Sequence, residues 1–185
     1  SGPQKRWKRS AVKALKLGGD ERVLDIGTGT GEILPWIAEF LDEGIVIGTD
    51  ISQKMIERTR RKIENKDLSD EIKVVYDDIQ KSNFPDKHFD KIIATFTFTT
   101  VPDPRKTAEE CKRILKDDGD MIVLDTGKPE NKIFLPLFYP MNFSAKVFGR
   151  THMDRAIPKI ISEYFDVEKN KTNMLGMVYQ LRCKK

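Results

Sequence analysis

Short apolar runs alternate along the chain with stretches whose apolar residues recur at helical spacing. Residues 22–26 form such a run just before a glycine-rich turn, and they predict a buried strand. Residues 45–49, 72–76, 91–95 and 121–125 repeat the pattern. Between them, Ile33, Leu34, Ile37, Ala38 and Leu41 predict a helix over 31–41, with Pro35 tolerated in its first turn. Ser52 caps a helix that runs to about Lys66, and Asp103 opens one that runs to Lys116. A weak stripe of Val12, Leu15 and Leu17 predicts a further helix over 5–16, closed by Gly18 and Gly19. Strict alternation of this kind means a parallel sheet covered by helices on both faces. After residue 127 the pattern changes. An aromatic-rich stretch comes first, then a helix near 153–163. Two runs, 165–172 and 176–184, close the chain as an antiparallel hairpin. The expected organisation is one domain over residues 1–185, with 127–163 as a cap or insertion within it.

In an open parallel sheet, ligands bind beyond the carboxyl ends of the strands. Four features fall there. The first is Asp25-Ile-Gly27-Thr28-Gly29-Thr-Gly31, whose glycines allow tight turns and close approach of a ligand to the backbone. Its spacing is not that of the dinucleotide fingerprint. Counted from Gly27 the third glycine would be Glu32, and counted from Gly29 it would be Leu34, so NAD and FAD are disfavoured. The helix expected to follow offers unpaired N–H groups to a short anion such as a carboxylate. The second feature is Asp50, placed to accept from a ribose diol, although NAD enzymes place an acid similarly. The third is Asp77-Asp78-Ile79, where Asp78 accepts from an exocyclic amine and the Ile79 N–H donates to a ring nitrogen. The fourth is Thr95-Phe96-Thr97-Phe98 after the fourth strand.

Composition narrows the classes. Of 185 residues, 38% are hydrophobic, enough for a core, and no run reaches the length of a spanning helix. Two cysteines far apart and two histidines argue against a disulfide scaffold and a zinc site. No apolar signal-peptide core opens the chain, so a cytoplasmic protein is expected. The net charge of +4 has one source. Residues 1–16 carry six cations and no acid, which leaves the remainder net acidic. That basic arm is the solvated face of a helix or a contact for nucleic acid, protein or anionic lipid.

With those residues in view, the chain resembles the class I S-adenosylmethionine-dependent methyltransferases. Val23 to Gly31 matches their first motif, and Gly48-Thr-Asp50 through Met55 matches the ribose motif. Asp77-Asp78-Ile79 with Phe84-Pro85 and Phe89-Asp90 resembles the adenine motif and the entry to the fourth strand. Arg6-Trp7-Lys8-Arg9 and Leu175-Gly176 are similar to the ubiquinone/menaquinone C-methyltransferase family. Thr99 and Thr100 stand where that family carries an Arg-Asn pair, and its tyrosine-bearing lid would precede Ser1. The resemblance implies a Rossmann-like seven-stranded sheet in the order 3-2-1-4-5-7-6, strand seven antiparallel, with helices on both faces.

It also implies roles. The turn Gly27, Thr28, Gly29 and Gly31 approaches the methionine part of the cofactor, and Asp25 orients its ammonium group. Asp50 holds the ribose, Ile51 and Met55 cover the adenine face, and Asp78 and Ile79 read its edge. Thr95 and Phe96 line the methyl side. Transfer is an in-line displacement, so the protein chiefly positions the acceptor, and no residue stands out as a general base. The Asn/Asp-Pro-Pro-aromatic signature of base and glutamine methylation is missing, since Ala94-Thr-Phe-Thr97 stands there. A small apolar or aromatic acceptor, methylated on carbon or oxygen, is expected. Phe96, Phe98, Phe138, Tyr139 and His152 are its candidate contacts. The apolar stretch 133–143 walls the acceptor pocket, touches a membrane surface, or simply caps the sheet. The alternatives are a protein or RNA methyltransferase, or a cofactor-binding protein docked through its basic arm.

Overall fold

The computed structural model describes residues 2–129, 131–149 and 151–185. Helix α1 (Pro3–Ala14) leads into β1 (Arg22–Ile26), α2 (Leu34–Ala38), β2 (Ile45–Asp50), α3 (Gln53–Glu64) and β3 (Ile72–Tyr76). A single turn at 79–81 follows, then β4 (Phe89–Thr95), α4 (Pro104–Ile114) and β5 (Leu115–Thr126). Helices α5 (Leu135–Gly149) and α6 (Ile157–Ile161) precede β6 (Asp166–Asn173) and β7 (Val178–Lys184). The sheet order is β3-β2-β1-β4-β5-β7-β6, with β7 antiparallel to both neighbours, as the resemblance implied.

The period of two along each strand divides the core. Val23, Val46, Ile93 and Ile122 face α1, α2 and α3, against Val12, Leu15, Leu34, Ile37, Ile56 and Ile63. Leu24, Ile47, Ile92 and Val123 face the other way, against Ala108, Cys111 and Ile114 of α4 and Ile157 and Ile161 of α6. Both layers are apolar because both faces of a parallel sheet are buried.

Three elements depart from the sequence expectation. α2 starts only at Leu34, so the glycine-rich turn opens onto further turns and not directly onto a helix; its Gly31 N–H is already bonded to the Thr28 carbonyl at 2.9 Å. β5 starts at Leu115, and its pairing with β4 shifts register between Phe89 and Lys91, which absorbs the turn expected at Asp118-Gly119. The stretch 135–149 is a helix despite Pro140 within it. The segment 127–163 therefore divides. α5 lies in a small cluster with Met153 and Met177, whereas α6 belongs to the main core.

Candidate active site

The parallel register lines up the carboxyl ends of the central strands. Ile26 lies opposite Thr49 and Ala94, and Asp50 opposite Tyr76. The loops leaving these ends surround a cleft of about 160 Å³. Six of the expected residues meet there: Gly27, Asp50, Ile51, Asp78, Ile79 and Phe96. The cleft also takes in residues the sequence did not single out as ligands: Asp77, Gln80, Thr97, Thr100, Val101 and Pro102. They follow strand ends too, and that position was the available signal.

Asp50 is held rigidly. One carboxylate oxygen accepts from the Gly29 N–H at 2.9 Å and the other from the Ser52 N–H at 2.8 Å. Each oxygen keeps a further lone pair for a donor from a ligand. The glycine turn is pinned from several sides. The Thr28 N–H donates to the Thr49 carbonyl at 2.8 Å, and the Thr59 hydroxyl to the Gly29 carbonyl at 2.8 Å. Lys62 Nζ donates to the Gly31 carbonyl at 3.2 Å. Two glycines here are obligatory. Gly27 has φ +66°, and a Cβ on it would lie 2.8 Å from Thr97 Oγ1; Gly31 has φ +62°, and its Cβ would lie 2.3 Å from a Thr59 methyl.

Beneath this turn Asp25 is 1% exposed, and neither of its carboxylate oxygens has a hydrogen-bond partner. Burial pushes its pKa up to about 7; the nearby Thr28 hydroxyl, which is not in hydrogen-bonding geometry, and then Lys8 offset that only in part. The Thr28 hydroxyl and one oxygen of Asp77 are likewise buried without partners. Unpartnered acceptors are costly in a protein interior, and here they gather along one rim. A ligand carrying an ammonium group, an amine and a diol supplies donors to such a set, so the residues present fit S-adenosylmethionine.

The cleft's other walls are set by the turn at 79–81 and by the loop after β4. One oxygen of Asp78 caps the turn, accepting from the Gln80 N–H at 3.1 Å, and the Gln80 carboxamide oxygen accepts from the Asp103 N–H at 2.9 Å. Phe96 adopts φ +58°, a conformation uncommon for a residue with a Cβ, and its N–H donates to the Leu124 carbonyl at 2.7 Å. The Thr97 hydroxyl donates to the Ile26 carbonyl at 2.9 Å. Thr99 donates to Asp125 through both its hydroxyl, at 2.6 Å, and its N–H, at 3.1 Å. Asp125 is fully buried, and burial raises its pKa to about 6. Sequence reading placed Asp125 only as a strand residue.

Other expected residues lie elsewhere. Thr95 is half-buried at the end of β4, beside Phe96 but not among the cleft's lining residues. Met55 is half-buried in the first turn of α3, where its N–H bonds the Ser52 hydroxyl that caps the helix. Phe98 is fully buried in the core layer of α4 and α6, which gives an acceptor no access to it. Phe138 is fully buried on the inner side of α5, and Tyr139 is exposed, with its ring edge-on to Phe138. His152 reaches the rim through its backbone, donating to the Thr99 carbonyl at 2.8 Å. His88 sits before β4, at the opposite end of the parallel strands, near Arg22 and Phe84.

The basic arm is partly spent within the molecule. Lys8 pairs with Glu32 at 2.7 Å, and Lys5 and Arg9 lie over the Trp36 ring. A groove of about 720 Å³ between α1, α2 and β7 takes in Arg6, Arg9, Lys13, Lys16 and Arg182, together with Glu39 and Glu168. It shares no residue with the cleft. No helix of the described residues is long and apolar enough to cross a membrane.

Comparison with known proteins agrees with this fold. Residues 24–123 match the family described as "Methyltransferase domain". A relative from Citrifermentans bemidjiense, the ubiquinone/menaquinone biosynthesis C-methyltransferase UbiE, is 31% identical over 99% of this chain and 79% of its own. Among solved structures, YcgJ from Bacillus subtilis superposes with a TM-score of 0.82 at 16% identity, covering 98% of this chain and 99% of that one. A SAM-dependent methyltransferase from Aquifex aeolicus gives a TM-score of 0.71 at 21% identity, covering 98% and 93%. The chain belongs to the class I S-adenosylmethionine-dependent methyltransferases, within the methyltransferase-domain family that its residues 24–123 match and close to UbiE.

Proposed function

We propose that the chain methylates a carbon or oxygen of a small apolar or aromatic acceptor, and that the rim described above is where this happens. Buried, unpartnered Asp25 beneath the turn, beside an Asp50 aligned by two N–H groups, carries the reading. S-adenosylmethionine supplies an activated sulfonium methyl, so the protein's work is binding, orientation and exclusion of water.

In this reading Asp25 accepts from the ammonium end of the cofactor, and the ammonium charge stabilises its ionised form. The turn of Gly27, Thr28, Gly29 and Gly31 lies along the methionine part. Asp50 takes the ribose hydroxyls on its remaining lone pairs. Ile51, which is 58% exposed, closes over the adenine from the cleft's open side, with Met55 behind it. Asp78 and the Ile79 N–H read the adenine edge. Thr95 and Phe96 flank the reacting methyl, and the strained backbone at Phe96 fixes where that ring projects. Tyr139 and His152 lie on the acceptor side.

The relative named above is a quinone-biosynthesis C-methyltransferase, which supports an apolar ring as acceptor. Such an acceptor in its reduced, phenolic form is itself a carbon nucleophile once deprotonated, so it makes a small demand on a general base. The test is a screen with cofactor labelled at the methyl group, across quinols, phenols, RNA and protein. Label is expected in a quinol or phenol. Label confined to RNA or protein overturns the acceptor assignment.

A further inference from the structure

α5 is apolar on every side, yet the protein covers only one of them. On the covered side Phe138 is fully buried with Met153 and Met177. The opposite side exposes Leu137, Phe143 and Val147, with Ile133 in the turn before the helix; Ile133 is 73% and Phe143 70% exposed. A helix apolar all round is ordinarily buried or lies in lipid, and a contiguous exposed apolar patch marks an interaction surface. Charge selects between the possible occupants. Residues 128–150 contain four cations and a single acid. Lys128 and Lys132 are exposed at the start of the patch, and Lys146 is paired with Asp154 at 2.8 Å. Two copies joined through this face would bring like charges together, whereas anionic headgroups complement them.

The segment that carries α5 is tied to the body of the protein at both ends, and its far end is held next to the cleft. The Gly127 N–H donates to the Met177 carbonyl at 2.9 Å, and the His152 N–H to the Thr99 carbonyl at 2.8 Å, next to Thr100 of the cleft. We propose that α5 docks the enzyme on an anionic bilayer, its apolar face among the acyl chains and its lysines at the headgroups, so that an apolar acceptor reaches the cleft from that surface. The delivery step rests on the acceptor reading above; the docking does not.

The test sediments the 185-residue chain with vesicles of phosphatidylcholine plus phosphatidylglycerol, and with vesicles of phosphatidylcholine alone. Binding to the anionic vesicles is expected. The double variant Leu137→Glu, Phe143→Glu should lower partitioning at least about tenfold, and Lys128→Gln with Lys132→Gln should weaken it on anionic vesicles. Calorimetric S-adenosylmethionine affinity should stay the same in both variants, which keeps a misfolded protein from imitating the result. Failure of the parent chain to sediment, or equal partitioning of the Leu137/Phe143 variant, overturns the proposal. A parent dimer that this variant dissolves also overturns it, by assigning the face to a second copy. Transfer to a quinol in detergent is measured separately. Transfer without vesicle binding rejects docking alone, and vesicle binding without transfer rejects the acceptor alone.

Discussion

Asp25 and Gly27 concentrate the cost of this site at the scale of single residues. Asp25 is an acid in an apolar setting with a pKa raised to about 7 from its ordinary 3.8. Between those values the folded state binds more protons than the unfolded state, so stability without cofactor falls as pH rises through this window. Asp125, raised to about 6, acts in the same direction over a narrower range. Cofactor affinity should change the opposite way, strengthening as pH rises through about 7 and Asp25 ionises. Thermal melts and calorimetry at a series of pH values check both trends. Asp25→Asn should flatten the melting trend without abolishing it, raise the melting temperature at pH 8, and weaken the cofactor roughly ten- to a hundredfold. Gly27→Ala adds a methyl group where Thr97 already stands, at a positive φ. It should cost about 1–3 kcal/mol in denaturant unfolding and remove cofactor binding. The sequence made Asp25 and Gly27 legible through motif spacing. Nothing in it told that Asp25 would lie without partners, because that depends on what the neighbouring strands place around it.

Among the elements, the five parallel strands were plain because each is a compact apolar run between turn residues, and α3 because Ser52 caps it and Ile56 and Ile63 recur at helical spacing. The errors have physical reasons. The apolar positions 33–41 read as a longer helix, but the chain must first turn over β1 and β2 through three glycines at positive φ, and only Leu34–Ala38 is left. The aromatic stretch carried no helical expectation, and Pro136 and Pro140 interrupt it. Pro136 falls in the first turn of α5, where a missing N–H costs nothing, and the helix carries the loss at Pro140. Phe96 and Phe98 looked equivalent at the end of β4. The left-handed backbone at Phe96 turns the chain, after which Phe98 enters the core. That turn is tied down by Thr99 on Asp125. Thr99→Val deletes the shorter bond and leaves a buried carboxylate short of a donor. It should destabilise the fold by about 1–3 kcal/mol and, by loosening the loop that carries Thr97 and Thr100, weaken cofactor binding as well. Denaturant unfolding and calorimetry on the same sample measure the two effects.

For the whole molecule, the reversal of β7 in an otherwise parallel sheet and the alignment of strand ends along one rim follow from the order of elements, and the terminal hairpin announced it. Charge was less informative. The basic arm read as either a solvated helix face or a docking contact; part of it is engaged by Glu32 and Trp36, and the groove it borders is separate from the cleft. S-adenosylmethionine should therefore raise the melting temperature, by an amount that corresponds to about 2.7 kcal/mol at a hundredfold excess over its dissociation constant. This rise should persist in Arg6→Gln with Lys13→Gln, which a thermal-shift titration checks. A rise lost in that variant would move the binding site to the arm.

In the proposed function Asp50, oriented by Gly29 and Ser52, holds the ribose of S-adenosylmethionine at this rim. Titration calorimetry of S-adenosylmethionine into the parent chain and into Asp50→Ala tests it most directly. Binding to the parent is expected, with a loss of roughly a hundredfold in the variant, the scale of two charge-assisted hydrogen bonds. Equal affinity in the two proteins would contradict it.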